Sequence, residues 1–364
     1  MTARFFPALA IVVAFFTSFL AATAKAAGTL IIIGGGLGPD TDAVWRRIIT
    51  ESGPNPLILV IAAASSEPEE SGAWAVEQLR RRGARAEIVP LAQAGEAFGG
   101  RAAGAAQNPN LAAQARAANG FYFTGGAQAR IVDLLAPSGV ATPLLKAIQT
   151  AHAGGATIAG TSAGAAIMSR SMFRDPRPQE EILATGPIGE DLGRGLGFLD
   201  GPFLVDQHFL ARGRHLRMFS ALCADPSLRA GLGVDEATAL VVRNGEARIV
   251  GDSAVALLRI EERQSCAPLS VRGRFSILRP GDVLRLATFE VGAAPDVGAA
   301  PSPAQDVSAL PGLGGLARSA APAAARVQLG ADAQTRTWGL GAETRVLDGL
   351  IWVDATKRDA PAAE

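Results

Sequence analysis

A serine stands at the centre of the pentapeptide Gly160-Thr161-Ser162-Ala163-Gly164, directly after a short apolar run. Residues 156–159 are typical of a buried strand, and residues 163–170 are typical of a helix that begins at once. A serine in such a tight turn presents its hydroxyl clear of the sheet, and small flanking residues relieve the crowding. The pattern predicts Ser162 as a nucleophile; the alternative is that the small residues only permit close packing.

A nucleophilic serine needs a general base, and the chain has only three histidines. His208 follows the apolar residues 203–205, where a predicted strand ends at the rim of a parallel sheet, and open α/β sheets bind ligands at that rim. His152 falls within a predicted helix, and we interpret it as structural. His215 lies among arginines, which is typical of a surface or substrate-side residue. We therefore predict His208 as the base.

A carboxylate must orient the imidazole and stabilise its cation. Glu236 follows the apolar residues 231–234, which end a predicted strand, and a strand terminus orients a side chain well. Glu180 lies in a polar loop over residues 176–181 and is the rival. We favour Glu236 over Glu180 as the third member.

A second turn, Thr124-Gly125-Gly126-Ala127-Gln128, follows the predicted strand 121–123. A Gly-Gly turn at a strand end leaves backbone N–H groups facing the rim, so Gly125 and Gly126 together with Ala163 form the predicted oxyanion hole. The helix after Ser162 adds its positive end at the same place. Gln128 begins the next predicted helix and would donate to a substrate carboxylate or main chain. The competing interpretation is an ordinary strand-to-helix turn.

After the predicted base, three arginines, Arg212, Arg214 and Arg217, fall within a stretch of six residues. Elsewhere such a run would be a solvated helix face. Beside a catalytic histidine it predicts a pocket selective for carboxylates, because a guanidinium pairs with a carboxylate through two hydrogen bonds. Asp206 or Gln207 would meet a cationic group of the substrate, such as a guanidinium.

The elements that must position these residues alternate between strands and helices. The pattern predicts a parallel sheet with helices on both faces, followed from residue 237 by an antiparallel extension. The predicted strands are residues 29–33, 57–62, 86–89, 121–123, 156–159, 238–242, 247–250, 255–260 and 282–289, and the predicted helices are 70–82, 140–153 and 163–170, with a further one from residue 127. The glycine-rich residues 34–38 do not fit the dinucleotide-binding pattern, which we reject.

Composition limits the class of protein and its compartment. The 364 residues are 48% hydrophobic and carry no net charge, so a substantial core is expected and nucleic acid is not an expected partner. Arg4, the apolar residues 5–22 and the small residues of Ala24-Lys25-Ala26 predict a signal peptide cleaved after residue 26. An uncleaved anchor is the alternative, since the apolar run approaches the ~20 residues that span a bilayer. We expect a secreted or periplasmic protein, with no membrane contact after cleavage.

The predicted division is a signal peptide (1–26), a hydrolase domain (27–291), an Ala/Pro/Gly-rich linker or loop (292–325) and a C-terminal segment (326–364) in which residues 345–353 add a strand. Cys223 and Cys266 are the only cysteines, and the sequence leaves open whether they pair or stay separate thiols. Their spacing supports no metal site, and no metal or cofactor is expected. A homodimer is an assembly that the sequence leaves open.

Four motifs occur in one order along about residues 28–260: Phe123-Thr124-Gly125-Gly126 with Gln128; Gly160-Thr161-Ser162-Ala163-Gly164-Ala165; Asp206-Gln207-His208-Phe209 with Arg212, Gly213, Arg214 and Arg217; and Gly233-Val234-Asp235-Glu236-Ala237-Thr238-Ala239. On these motifs the chain resembles the cyanophycinases, within the serine peptidase family that also includes the aspartyl dipeptidases. The aspartyl dipeptidases share the serine motif but lack the Gln-His-Phe and triple-arginine run. The residues after Val291 lie outside the resemblance.

The resemblance implies a fold like that of the class I glutamine amidotransferases. It also implies an exopeptidase that hydrolyses cyanophycin, a poly-aspartate with arginine on its side-chain carboxylates, to β-Asp-Arg dipeptides. Two other function classes stay open at this point. One is an exported aspartyl dipeptidase or esterase that uses the same serine and histidine, and the other is a non-catalytic module that binds acidic peptides.

Overall fold

Five parallel strands form one side of a first sheet in the computed structural model, which describes residues 27–293, 326–329 and 347–354. They are β1 (Leu30–Ile33), β2 (Leu57–Ile61), β3 (Arg85–Val89), β4 (Gly120–Phe123) and β5 (Thr157–Thr161). Their order across the sheet is β1-β5-β4-β2-β3. The continuous apolar sequence of β1 reflects burial on both faces, because alternate side chains of a strand point in opposite directions.

Helices cover both faces of this sheet. The helices before β5 are α1 (Asp42–Glu51), α2 (Pro68–Arg81), α3 (Pro109–Ala117), α4 (Gln128–Leu135) and α5 (Pro143–Ala153). Ile31 and Ile33 pack with residues of α1 and α2, whereas Leu30 and Ile32 pack with residues of α3, α4 and α5. The predicted three-layer α/β architecture is therefore confirmed.

The chain after β5 builds a second sheet and enlarges the first. Its elements are α6 (Ala163–Ala166), β6 (Ser171–Phe173), α7 (Gln179–Thr185), β7 (Leu192–Arg194), β8 (Phe203–Asp206), α8 (His215–Ala224), β9 (Ala230–Val234), β10 (Thr238–Arg243), β11 (Glu246–Gly251), β12 (Val255–Cys266), β13 (Leu269–Leu278), β14 (Asp282–Arg285), β15 (Glu290–Ala293), β16 (Arg326–Leu329) and β17 (Leu347–Asp354). Among the described residues, β10 pairs antiparallel with β1, and β11, β14 and β15 extend the first sheet by further antiparallel pairings. The other strands form the second sheet in the order β16-β17-β13-β12-β9-β8-β6-β7.

The second sheet is the main departure from the sequence expectation. The predicted antiparallel extension is divided, because β12 and β13 leave the first sheet and pair with β9 and β17 of the second. The predicted helix over 163–170 ends at Ala166. Of the predicted strand over 282–289 only β14, its first half, forms, and β15 begins just after that range. A strand was expected over 345–353, and β17 occupies most of that range.

The two sheets share a core. One face of the second sheet contributes Val205, Leu232 and Val255 to the same apolar cluster as Ile32 and Phe123 of the first. The other face packs against α8 through a separate cluster that includes Met218 and Phe219. Sheet-to-sheet packing therefore determines how residues of β5 and β8 lie relative to each other.

A disulfide fixes α8 to the second sheet. It joins Cys223 near the end of the helix to Cys266 at the end of β12, and the two Cα atoms lie 5.4 Å apart. This resolves the alternative that the sequence left open.

The predicted signal peptide and nearly all of the predicted linker lie outside the described residues, so those boundaries stay predictions. Within the described ranges, none of the helices combines the length and apolar character that crossing a bilayer requires.

Candidate active site

Ser162 occupies a strained turn between β5 and α6. Its backbone has φ 53° and ψ −113°, a conformation that a non-glycine residue adopts only where the surroundings impose it. The Ser162 N–H donates to the carbonyl of Ile33 at 3.0 Å, which holds the turn against the end of β1. Gly164 lies so close to the Phe123 carbonyl that a Cβ there would overlap it. The local sequence thus presents the serine hydroxyl at the carboxyl end of the parallel strands.

His208 contacts Ser162 directly. It lies two residues beyond β8, and its Nε2 is 2.9 Å from Ser162 Oγ. Its Nδ1 is 2.6 Å from Glu236 Oε1. A carboxylate only accepts, so Nδ1 carries the proton and Nε2 is left to accept from the serine hydroxyl. This is the tautomer that a general base needs.

Glu236 reaches the histidine from the turn between β9 and β10, as expected of a residue just beyond a strand end. The rival, Glu180, belongs to α7 rather than to the polar loop that the sequence indicated. Because Glu236 occupies Nδ1 and Ser162 occupies Nε2, both ring nitrogens already have partners. The structure therefore brings together Ser162, His208 and Glu236, the three residues favoured from the sequence.

Burial lowers the pKa of His208 below its ordinary value. Loss of solvent is the largest cause, and the positive charges of Arg212 and Arg214 lower it further, while the hydrogen bond to Glu236 opposes the change. The imidazole is accordingly neutral at neutral pH, with Nε2 free to accept a proton.

The glycine-rich turn after β1 completes the surroundings of the histidine. Gly34 accepts the His208 N–H at 2.7 Å, and Gly35 accepts the N–H of Ala237 at 2.8 Å. Gly35 has φ +113°, and a Cβ at this position would overlap the His208 ring. The sequence excluded a nucleotide role for these glycines but did not predict their contact with the base; three glycines at a strand end are the signal for a close backbone approach.

The predicted oxyanion donors lie at different distances from the serine. A Cβ on Gly125 would stand 3.2 Å from Ser162 Cβ, so this residue adjoins the nucleophile. Ala163 opens α6, where helical N–H groups have no partner within the helix. Gly126 instead packs against the carbonyl of Ala64. Their role as an oxyanion hole stays a prediction, with Gly125 and Ala163 nearest the reacting oxygen.

The arginine cluster is arranged differently from the expectation. Arg217 is buried and donates to both carboxylate oxygens of Asp206, Nε at 2.8 Å and Nη2 at 2.6 Å, with its guanidinium over the Phe173 ring. Arg214 donates to the carbonyl of Gln207 at 2.7 Å and lies 3.4 Å from Asp206. Asp206 and Arg217 were expected to be free for substrate groups, but they pair with each other. Arg214 contacts the same carboxylate, and two guanidiniums against one carboxylate leave one positive charge, so a role of Arg214 in holding a substrate carboxylate stays a prediction.

Arg212 is the member of the cluster that stays available. It is exposed, forms no ion pair with any residue in the described part of the chain, and lies near enough to His208 to lower its pKa. Gln207 is buried, and its Oε1 lies 3.5 Å from Ser162 Oγ. The neutral Gln207 amide therefore borders the serine, and the exposed Arg212 lies near the base.

The remaining predicted residues serve the framework. The Gln128 amide donates to the carbonyl of Phe173 at 2.7 Å, so it contacts the protein's own main chain instead of standing free for a substrate. His152 contacts the carbonyl of Ala156 at the opposite end of β5 from Ser162. His215 is buried, in contrast to the surface position considered from the sequence, and burial lowers its pKa to about 4.

Comparison with known proteins gives the family. Residues 103–250 match the family model described as peptidase family S51. The chain is 32% identical over 280 residues to a cyanophycinase of Synechococcus elongatus, a match that covers 72% of this chain and 81% of the relative. A cyanophycinase of Trichormus variabilis is 30% identical over 249 residues, covering 65% of this chain and 75% of the relative.

Among solved structures, a peptidase from an acI-B1 Actinobacterium has a TM-score of 0.52 at 22% identity, and the match covers 72% of this chain and 98% of that one. At this identity the likeness shows the fold. The identity to the two relatives extends over most of their length, and this confirms the resemblance drawn from the four motifs. The chain therefore belongs to peptidase family S51 and is a serine-type peptidase.

Proposed function

We propose that this peptidase is exported and hydrolyses cyanophycin, multi-L-arginyl-poly-L-aspartate, from a chain end to β-Asp-Arg dipeptides through an acyl-enzyme at Ser162. The observation that carries the proposal is the continuous hydrogen-bonded path from Ser162 through His208 to Glu236. The similarity to two relatives named as cyanophycinases supports the choice of substrate.

Acylation begins when Ser162 Oγ attacks the carbonyl carbon of the scissile bond and His208 Nε2 takes the hydroxyl proton. The carbonyl oxygen becomes an oxyanion, which the N–H groups of Gly125 and Ala163 stabilise. The imidazolium then gives its proton to the leaving amine as the bond breaks, which leaves the acyl group on Ser162. Throughout, Glu236 holds Nδ1–H and stabilises the transient positive charge.

Deacylation repeats the same proton transfers with water as the nucleophile. His208 takes a proton from water, the hydroxide attacks the ester carbonyl, and the proton returns to Ser162 Oγ as the product acid leaves. A neutral histidine is required at the start of both halves, and the lowered pKa of His208 supplies it.

Substrate recognition, on this proposal, depends on Arg212 and Gln207. The exposed guanidinium of Arg212 can pair with a free carboxylate of the β-Asp-Arg unit through two hydrogen bonds. The Gln207 amide oxygen is a neutral acceptor next to Ser162 and suits an N–H of the substrate. The closed Asp206–Arg217 pair supports the wall of this pocket rather than binding the polymer.

The direct test is to incubate the purified mature protein with insoluble cyanophycin and to identify the soluble products by mass spectrometry. We expect β-Asp-Arg from the unchanged protein. Ser162→Ala should lower the rate by at least ~10³-fold, since only the oxyanion donors and binding would remain. Turnover of aspartyl dipeptides or nitrophenyl esters without β-Asp-Arg release would replace the substrate. A folded protein whose Ser162 resists a fluorophosphonate, with no turnover, would leave a peptide-binding module.

Two features support export: the signal-like sequence of residues 1–26 and the Cys223–Cys266 disulfide. The signal-like residues 1–26 end four residues before β1 begins at Leu30, so cleavage after residue 26 leaves the first strand intact. The Cys223–Cys266 disulfide suits an oxidising compartment. Amino-terminal sequencing of protein recovered from the periplasm or medium should begin at Ala27, and retention of the full-length chain in the cytoplasm would refute export.

A further inference from the structure

The turn that carries His208 is held through its backbone. Four consecutive N–H groups, those of residues 208–211, are each bonded to an acceptor outside the turn. The first two reach carbonyls, of Gly34 at 2.7 Å and of Val234 at 3.2 Å. The next two reach one side chain, because Leu210 and Ala211 donate to Oδ1 of Asp235 at 3.0 and 2.9 Å.

Both carboxylate oxygens of Asp235 accept hydrogen bonds. Its side chain is buried, and its second oxygen, Oδ2, accepts from the Ser253 hydroxyl at 2.7 Å. The three donors are neutral groups. Hydrogen bonds therefore stabilise the Asp235 carboxylate, whereas ion pairs with arginines stabilise that of Asp206. Removing the Asp235 carboxylate would leave the N–H of the buried Leu210 without an acceptor and release that of the exposed Ala211, which the protein can relieve by moving the turn or by admitting water.

Movement of this turn would displace His208, because its backbone conformation depends on the surrounding contacts. Its φ is +46°, a left-handed conformation that a non-glycine residue keeps only when its neighbours impose it. Asp235 is also the residue before Glu236, which binds the other side of the His208 ring. Two adjacent acids therefore fix the histidine at two points, Glu236 through the ring and Asp235 through the backbone that follows it.

We propose that Asp235 is a positioning residue, which holds His208 Nε2 on Ser162 Oγ by accepting the N–H groups of Leu210 and Ala211. The inference rests on the proposed serine chemistry and adds to it the group that determines the geometry of the base. Asp235 touches neither the substrate nor the reacting atoms.

The test measures how fast a fluorophosphonate labels Ser162 across pH, beside kcat and KM for the polymer and the thermal midpoint. Asp235→Asn retains an acceptor oxygen and should label within ~3-fold of the unchanged protein. Asp235→Ala should label ~10–100-fold more slowly, because displacing a catalytic group by about 1 Å costs rate on this order. The loss should fall on kcat rather than KM. In the Asp235→Ala variant, the fall of the labelling rate on acidification (the acid limb) should move to higher pH. The reason is that a loosened turn admits water, which raises the pKa of His208 back toward its ordinary value.

Asp191→Ala is the control. Asp191 is a buried carboxylate that also accepts backbone N–H groups, from Arg177 and Ile188. It differs from Asp235 in also pairing with the Arg177 guanidinium, and none of its hydrogen bonds in the described part of the chain reaches residues 208–211. It should change thermal stability without moving the acid limb. If Asp235→Ala does not fold, Asp235→Glu replaces it: the charge is kept and the oxygens are shifted by one methylene, so labelling should still slow.

The outcomes separate this inference from the proposed function. A folded Asp235→Ala or Asp235→Glu that labels like the unchanged protein would overturn the positioning role. So would an Asp235→Asn protein as slow as the alanine variant. If the unchanged protein labels at Ser162 but releases no β-Asp-Arg, the substrate proposal fails while the positioning role is still measured.

Discussion

Gly35→Ala should disable the protein by displacing its base. The added Cβ would stand 2.8 Å from His208 Nδ1 and closer still to two other ring atoms, whereas carbon atoms in contact need ~3.5 Å or more. The ring would have to move by about 1 Å. The 2.9 Å bond to Ser162 Oγ would then exceed hydrogen-bonding distance.

A shift of that size predicts a loss of about 10²-fold in kcat/KM. The alanine must also adopt φ +113°, which adds a strain of about 1–3 kcal/mol and lowers the thermal midpoint. Fluorophosphonate labelling of Ser162 and product release would measure the first effect, and thermal unfolding would measure the second.

Gly38→Ala is the control from the same turn. Its φ is ordinary, and the nearest atom to an added Cβ is 4.0 Å away, so activity and stability should be unchanged. A Gly35→Ala protein as active as this control would show that the ring does not depend on the close approach, and the account of the glycine turn would have to be abandoned.

Four further predictions concern the charges and the disulfide. Because the pKa of His208 is lowered and its neutral form reacts, kcat/KM should be constant at neutral pH and fall on acidification with a midpoint below 6.5; a midpoint above 6.5 in a pH–rate profile would contradict this. Arg217→Lys should lower unfolding free energy by about 2 kcal/mol and slow polymer and ester alike, since a buried two-bond pair to Asp206 is lost, as urea melts would show. Arg212→Ala should leave stability and ester hydrolysis unchanged and lower kcat/KM for the polymer ~10-fold or more, and equal losses on both substrates would remove it from substrate binding. Reducing Cys223–Cys266, which closes a loop of 43 residues, should lower stability by about 4 kcal/mol at most; an unchanged melting midpoint under reductant would show that the link contributes little.

The part of the site that follows from local sequence could be predicted. Ser162 stands in a pentapeptide whose small residues fit only a tight turn, and His208 follows an apolar run that ends at a sheet rim. Both signals lie within a few residues of the side chain concerned. Their hydrogen bond joins positions 46 residues apart that follow strands of two different sheets. The pair could be predicted because each residue follows an apolar run and the chain has only three histidines, whereas the packing of one sheet on the other could not.

The pairing of charges could not be predicted. Arg217 and Asp206 read as two separate ligand-binding groups, because composition shows which charges are present and not which are buried together. The same limit applies to Asp235, whose partners Leu210 and Ala211 lie at least 24 residues away. An acid directly before the predicted third member was the only local sign of its role.

The second sheet could not be predicted either, because strand pairing also depends on contacts between distant parts of the chain. Strands β10, β11, β12 and β13 follow one another with short connections, a pattern typical of one antiparallel sheet. Their division depends on which neighbour each strand finds: β10 pairs with β1, and β12 pairs with β9. Such partners are chosen by long-range packing, on which alternation within a strand carries no information.

The three central side chains come from different sheets. Ser162 follows β5 of the first sheet, His208 follows β8 of the second, and Glu236 lies on the segment by which the chain leaves β9 and enters β10. The distance between Ser162 and His208 therefore depends on how the two sheets pack against each other, and the apolar residues that both sheets share maintain that packing. A substitution deep in that shared core, far from any substrate, would separate Ser162 from His208 before either sheet lost a strand. As such a variant is warmed, its turnover rate should accordingly decline at a lower temperature than its circular dichroism signal. The turnover rate would then measure how well the two sheets pack against each other.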